Sequence, residues 1–294
     1  MKKIAIATLL AATTLVATAQ VKMTGKISEF VDTTKVGAAS NTSLVTDPTS
    51  NITFSATENL GGGLKARVVL DTSLAANDPT GGPATKLGDR QSTIGLANSV
   101  GSVDLGRNLH SHFLAVTNND AFGTLYGSIA GDVHNLRGLR MSNGTFFAVT
   151  PVKGITATYD RTQTTVGTEA SSYSASATIM GVNAVVAQYS QGAEKSTVYG
   201  ASAKLGGTKL FYTHSDDKGV GAHKGDLFGA SQAFGPITAK ASYGKTNTNV
   251  KAYALGADYN FSKRTLVGVN YRNVDATGTS NDVKQVGVGV THRF

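Results

Sequence analysis

The chain has 294 residues, 34 of them Gly, with no Cys, no Trp and a formal net charge of +8. Only 16% of residues are charged, against ~25% in soluble domains, and the 40% that are hydrophobic leave a mean hydropathy of only -0.08, so apolar side chains are dispersed rather than gathered into the runs of about 20 that a membrane helix needs. Val, Leu, Ile, Tyr and Phe are too frequent for a disordered chain, and zero Cys removes disulfide scaffolds and thiolate metal sites, which leaves an all-β chain of one domain, or at most two.

Met1-Lys2-Lys3 is a basic start, followed by the apolar stretch Ile4 to Val16 and then Ala17-Thr18-Ala19. This is the pattern of a secretory signal peptide with a small-residue cleavage site. It predicts removal of residues 1–19 and a mature domain of residues 20–294. Without Lys2 and Lys3 the balance is 25 basic against 19 acidic residues, or +6.

Past Gln20 the dominant signal is alternation. Leu64, Ala66, Val68 and Leu70 alternate with Lys65, Arg67, Val69 and Asp71. Ile155, Ala157 and Tyr159 alternate with Thr156, Thr158 and Asp160, and Tyr173, Ala175, Ala177 and Ile179 with Ser174, Ser176 and Thr178. Ile237, Ala239, Ala241 and Tyr243 follow the same rule, as do Val286, Val288, Val290, His292 and Phe294 at the end. A period of two gives each strand one apolar and one polar face. Tight turns are predicted at 59–63, 98–101, 151–154, 180–183, 206–207, 235–236 and 261–263. Longer links are predicted near 34–49, 75–90, 109–142, 164–170, 191–196, 215–225, 246–249 and 276–282. Those connections join sixteen strands. Alternating tight and long connections predict an antiparallel up-and-down barrel with both termini on the tight-turn side.

The apolar face is light, and Tyr or Phe gathers at strand ends: Tyr159, Tyr189, Tyr199, Tyr212, Tyr243, Tyr259, Phe261, Tyr271 and Phe294. Aromatic girdles flanking a lipid band have that distribution. The other face carries Lys65, Arg67, Lys204, Lys240 and Arg272 in mid-strand, charges that suit a wet lumen and would be costly in a closed core.

The signal peptide, Glu58-Asn59-Leu60-Gly61-Gly62-Gly63-Leu64-Lys65-Ala66, the stretch Gly95-Leu96 to Gly101-Ser102-Val103-Asp104-Leu105-Gly106-Arg107, and the ending Val290-Thr291-His292-Arg293-Phe294 together resemble the general, non-specific porins of β-proteobacteria. The resemblance implies a trimeric, sixteen-stranded transmembrane β-barrel of the Gram-negative outer membrane, with a long third loop folded into the lumen. Such a protein passes ions and small hydrophilic solutes by passive diffusion, sits among lipid and lipopolysaccharide, and is inserted by the outer-membrane assembly machinery, for which a C-terminal aromatic such as Phe294 is the recognition signal. Where the family usually has Glu-Asp-Leu-Gly-Gly-Gly, this chain has Asn59 in place of the Asp.

The link 109–142 is the longest, and a loop of that length is usually functional. Its Phe113, Leu114, Val116, Phe122, Leu125, Tyr126 and Ile129 need a surface to pack on, which the barrel mouth supplies. As a constriction it would place Asp120 and Asp132 against Arg137, Arg140, Arg67 and Arg107, with Lys65 on the wall, and opposed charges across a wet gap select solutes by charge and size. Arg107 shares parity with the outward Val103 and Leu105, so it requires a bulge or a strand end. The basic surplus suggests a mild anion preference.

Other constellations point less far. Gly61-Gly62-Gly63 lacks the Lys–hydroxyl pair and helix of a phosphate loop. His110-Ser111-His112 and His214-Ser215-Asp216-Asp217 lack the third ligand and supporting shell of a metal site. Basic residues spread along strands offer no nucleic-acid patch. No catalytic residue, cofactor or metal is expected. The competing readings are an outer-membrane barrel enzyme of lipase or protease type and a surface β-protein with an adhesive role. Lys22 is the expected partner of the terminal carboxylate.

Overall fold

The computed structural model describes residues 20–75, 86–162, 169–276 and 282–294; the expected signal peptide, residues 1–19, lies outside them. Seventeen strand segments form one sheet. They are β1 (Gln20–Val36), β2 (Ala39–Thr46), β3 (Asn51–Gly61), β4 (Leu64–Ser73), β5 (Gln91–Ala97), β6 (Gly101–Leu109), β7 (Arg140–Val152), β8 (Ile155–Thr162) and β9 (Ala170–Ile179). There follow β10 (Val182–Gln191), β11 (Glu194–Leu205), β12 (Thr208–Lys218), β13 (Lys224–Phe234), β14 (Ile237–Thr246), β15 (Val250–Asn260), β16 (Thr265–Ala276) and β17 (Val283–Arg293). Apart from β2 and β3, each pairs antiparallel with its neighbour in sequence, and β1 pairs with β17 from Lys26↔Arg293 to Val36↔Val283, which closes the barrel.

Seventeen segments occupy sixteen wall positions. The other edge of β1 is shared: Glu29–Val36 pairs with β2 and Gln20–Lys26 with β3. The break between them is Asp47-Pro48-Thr49-Ser50. Pro48 has no N–H to give to a ladder, and Ser50 repairs the gap, its Oγ accepting from the Ser28 N–H at 3.0 Å.

All seven expected tight turns are present. The link expected at 246–249 is only the three residues 247–249, and two others expected to be long are shorter still: β1 turns into β2 at 37–38 and β10 into β11 at 192–193. The polar alternation continues through both ends, with Thr33 and Thr42 hydroxyls meeting at 2.9 Å across the first hairpin. Gly37 and Gly192 supply the positive φ (56° and 58°) that such close turns require.

Side-chain exposure separates the two faces. Val286, Val288 and Val290 of β17 point outward, half exposed, while the alternating Gly287 and Gly289 face inward against Tyr126 and Phe30. The same holds around the wall, where Ile94, Val186, Tyr199, Phe228, Tyr243, Leu255 and Tyr259 are exposed outward. A continuous exposed apolar belt of this kind is the lipid face of a membrane barrel, and closure through β1–β17 and β1–β3 joins the first and last wall strands as lipid requires. Tyr189 departs from the girdle expected of it. It shares parity with the inward Ala187, and its ring lies 5.1 Å from that of His110.

Candidate functional site inside the barrel

Between β6 and β7, residues 110–139 carry two short helices, α1 (Ser111–Thr117) and α2 (Ala130–Val133). The start of α1 is capped from the chain and from the wall. His110 Nδ1 accepts from the Phe113 N–H at 3.2 Å, the Asp160 carboxylate from the Ser111 N–H at 2.6 Å, and Ser172 Oγ from the His112 N–H at 3.0 Å. These satisfy donors that a helix end leaves free.

The segment meets inward side chains on many strands. His112 Nε2 bonds Ser196 Oγ on β11 at 2.7 Å, and His134 bonds Ser215 and Thr213 on β12 at 2.8 and 2.7 Å. Tyr126 stacks on Phe30 with ring centroids 4.0 Å apart, and its hydroxyl donates to Asp32 on β1. Its N–H donates to Asp47 at 2.9 Å. Arg272 on β16 pairs with Asp132 at 3.1 Å. Wall glycines make the approach possible. A Cβ at Gly256 would lie 2.8 Å from the Phe122 ring, and one at Gly225 or Gly244 would collide with Val133. Val116, Phe122, Ile129 and Val133 are almost fully buried, each contributing about 1.5–3 kcal/mol to the seat.

The expected site residues are therefore distributed as follows. Asp120 does not face open water: it is 4% exposed, and its carboxylate accepts from the N–H groups of Phe122 and Thr124 and from the Ser128 hydroxyl. Burial pushes its pKa up against those bonds. Asp132 is also raised by burial, with Arg272 opposing. Arg137 is 8% exposed and is turned away from the gap, bonded to Glu194 at 2.7 Å and to the Lys218 carbonyl at 3.2 Å, with Asp217 at 3.9 Å. Its backbone is left-handed (φ 49°), a conformation held only when the surroundings over-determine it.

The remaining basic residues lie on the β1–β7 wall. Lys65 is exposed on the inward face, and Arg67 pairs with Asp104. Arg107 follows a register shift at Gly106/Asn108, the bulge its parity requires, and bonds the Asp89 carbonyl at 2.6 Å and Ser142 Oγ at 2.5 Å. Arg140 starts β7, half-buried, its neighbouring charges being Arg90, Arg107, Asp71 and Asp89. Arg90, which pairs with Asp71 at 3.0 Å, and Lys26, which pairs with Asp47 at 3.4 Å, belong to the same wall. Neither was singled out from the sequence, although Lys26 has the inward parity of Ser28 and Asp32. Tyr126, expected only as a packing residue of the loop, bonds the wall, as do His112 and His134, the latter not singled out from the sequence.

The Ser–His pairs do not form a hydrolytic centre. Ser196, Ser215 and His112 are fully buried, and both ring nitrogens of His134 are taken by hydroxyls, which leaves none for an orienting carboxylate. His214 and Asp216 point to the opposite side of β12 from Ser215 and Asp217, because neighbours on a strand alternate. Among the described residues no group of His, Asp and Glu could hold a metal.

Phe294 extends the β17 ladder. Its N–H donates to the Gly25 carbonyl at 3.0 Å and its carbonyl accepts from the Gly25 N–H at 2.9 Å, with the ring lying across Gly25. Lys22 makes no ion pair with the terminal carboxylate: β1 runs on past the end of β17, and Lys22 sits opposite Ser55 of β3.

The buried histidines give the loop a pH dependence. Burial first of all pushes His110 down to about 4 and His112 and His134 to about 3. His110, His134 and Arg137 further disfavour a charge on His112. His214 and His223 do so for His134, opposed by Asp226. An unfolded or released imidazole titrates near ~6.5, so the docked state binds fewer protons between these values. Docking is fully supported above about pH 6.5 and loses support as pH falls toward about 3. Proteolysis within 110–139 should accelerate over that window, and His134→Gln should flatten the profile; constant protection from about pH 7 to about pH 4 would remove the histidines from this role.

A family model described as Gram-negative porin matches residues 7–294. No curated protein sequence matches. Among solved structures, an anion-selective porin from Comamonas acidovorans superposes with a TM-score of 0.81 at 22% identity, over 94% of this chain and 100% of that one. Salmonella typhi OmpF superposes at 0.76 with 16% identity, over 94% and 98%. A Rhodopseudomonas blastica porin variant does so at 0.70 with 15% identity, over 94% and 100%. At these identities the superpositions establish the fold.

Proposed function

The chain belongs to the Gram-negative porin family, and from that premise we infer how its channel works. It is an outer-membrane porin, a barrel whose hydrated interior passes ions and small hydrophilic solutes by diffusion. We place the constriction at residues 110–139 and assign the passage a mild preference for anions. The observation that carries this reading is the inward face itself: Lys26, Lys65, Arg67, Arg90, Arg107 and Arg140 gather on the β1–β7 wall, while the outward face is apolar. Several of these cations have carboxylate partners, which limits the preference to a mild one. A fixed positive wall beside a narrow wet gap favours anions and weakens with salt.

Planar-bilayer recording under a salt gradient tests it. Stepwise ohmic conductance is expected, with a reversal potential on the anion side. The double variant Arg107→Gln/Arg140→Gln should lower the anion-to-cation permeability ratio. A reversal potential of cation sign, or one that the double variant leaves in place, would overturn the assignment.

The remaining features follow the family. Residues 1–19 act as a cleaved export signal, so the mature N-terminus reads Gln20. Three copies associate, visible as a migration change on heating in detergent. Phe294 serves the assembly machinery, and its deletion lowers the yield of inserted barrel. Lipopolysaccharide phosphates meet Lys195 and Lys218, exposed and directly opposite each other on the outer face. Asp216 on the same face offsets this like-charge pair only in part, because it is already paired with Lys224 at 2.9 Å, and Lys195→Glu/Lys218→Glu should reduce co-purified lipopolysaccharide. The channel works without catalysis, so purified protein should not hydrolyse lipid or peptide.

A further inference from the structure

Between α1 and the tight-turn end of β8–β10 the lumen wall changes character. The inward side chains there are Thr156 and Thr158 on β8, Ser174 and Ser176 on β9, and Asn183 on β10. With Asn119 of the third loop they line a recess of about 180 Å³ that contains no charged residue. That is room for about six water volumes, the scale of one small solute.

Its chemistry is that of hydroxyls and amides with capacity to spare. A hydroxyl offers one donor and two acceptor positions, and those present use only part of theirs. Thr158 Oγ1 meets Ser174 Oγ at 2.7 Å, and Thr156 Oγ1 meets Thr150 Oγ1 at 3.3 Å. Asn119 stands over the recess, 1% exposed, in the space left by Gly200. Its Nδ2 donates to the Ala115 carbonyl at 2.9 Å, but its Oδ1 has no partner. A buried acceptor left unpaired is unfavourable and favours a ligand that brings a donor. Leu114 and Val185 add small apolar surfaces to the same recess, suited to the C–H face of a ring.

The contrast with the β1–β7 wall decides the ligand class. A charged solute finds its counter-charges there and none here. An uncharged polyol can exchange its water hydrogen bonds for hydroxyl and amide partners at this wall without desolvating a charge. We propose that the recess is a binding subsite for a neutral, polyhydroxylated solute of monosaccharide size. The proposal rests on the channel reading above and names a solute class for it.

Glucose added to single channels in potassium chloride provides the test. Saturable current interruptions are expected for the unaltered protein. The shape-conserving double variant Thr158→Val/Ser176→Ala should lower the glucose association constant about tenfold, the loss expected from two hydrogen bonds. Should the pair fail to insert, each single substitution is read alone, with a smaller loss in the same direction. A current decrease merely linear in glucose would overturn the subsite and leave the channel intact, as would an association constant that the variants do not move. Absence of conductance before any sugar is added would overturn the channel reading, and the subsite with it.

Discussion

Replacing Gly225 and Gly244 together by leucine will widen the channel. Both glycines face inward from β13 and β14, and any Cβ there collides with Val133 of α2. Leucine cannot share that space, and the wall strands, held by their ladders, cannot retreat. The loop must leave instead, taking Val133 and Ile129 out of burial and parting Asp132 from Arg272. Single-channel conductance should rise severalfold while heat-modifiable migration of the barrel persists. A second route removes the anchor rather than its seat. Phe122, 2% exposed against Gly256 and beneath the Lys240 ammonium at 5.6 Å, loses about 3–5 kcal/mol of packing on change to alanine. If both variants insert and conduct as the parent does, the segment is not what limits the current.

Arg137→Ala is expected to be the most damaging single charge removal. The Arg137 side chain is 4% exposed and that of Asp217 is 0%. Without the guanidinium, the only cationic partner of Asp217 among the described residues is His223 at 3.7 Å. Removing one partner of a buried pair costs about 3–5 kcal/mol because the other charge stays buried. Lysine should not rescue it, since a point charge cannot reach Glu194, the Lys218 carbonyl and Asp217 at once. Arg137→Ala/Asp217→Asn should recover much of the loss, because no orphan carboxylate remains. Thermal unfolding in detergent reads these differences. A melting point for Arg137→Ala equal to the parent's would refute the role. Selectivity should respond in the opposite order, with Arg107 and Arg140 mattering more than the buried Arg137.

The barrel was legible because its signal is local. Leu64 to Asp71 announces one lipid face and one wet face within eight residues, and Gly206-Gly207 or Gly235-Pro236 announces a turn within two. The site was only half legible. Asp120 and Arg137 are charged residues on a loop expected in the lumen, yet one caps its own turn and the other is buried against β11 and β12. Composition cannot distinguish a charge that faces water from one that holds a loop in place. Tyr189 shows the same limit, since an aromatic near a strand end reads as a girdle until its parity is followed.

Period-two alternation by itself determined which face of each strand meets lipid, because successive side chains on an extended backbone must point opposite ways. Closure decided the rest. Only the finished barrel brings Tyr126 to Asp32, His134 to Ser215 and Arg272 to Asp132, residues 94, 81 and 140 positions apart. Those partners depend on the register of every intervening strand and on how far a thirty-residue segment can reach across the lumen, and no stretch of sequence encodes either locally.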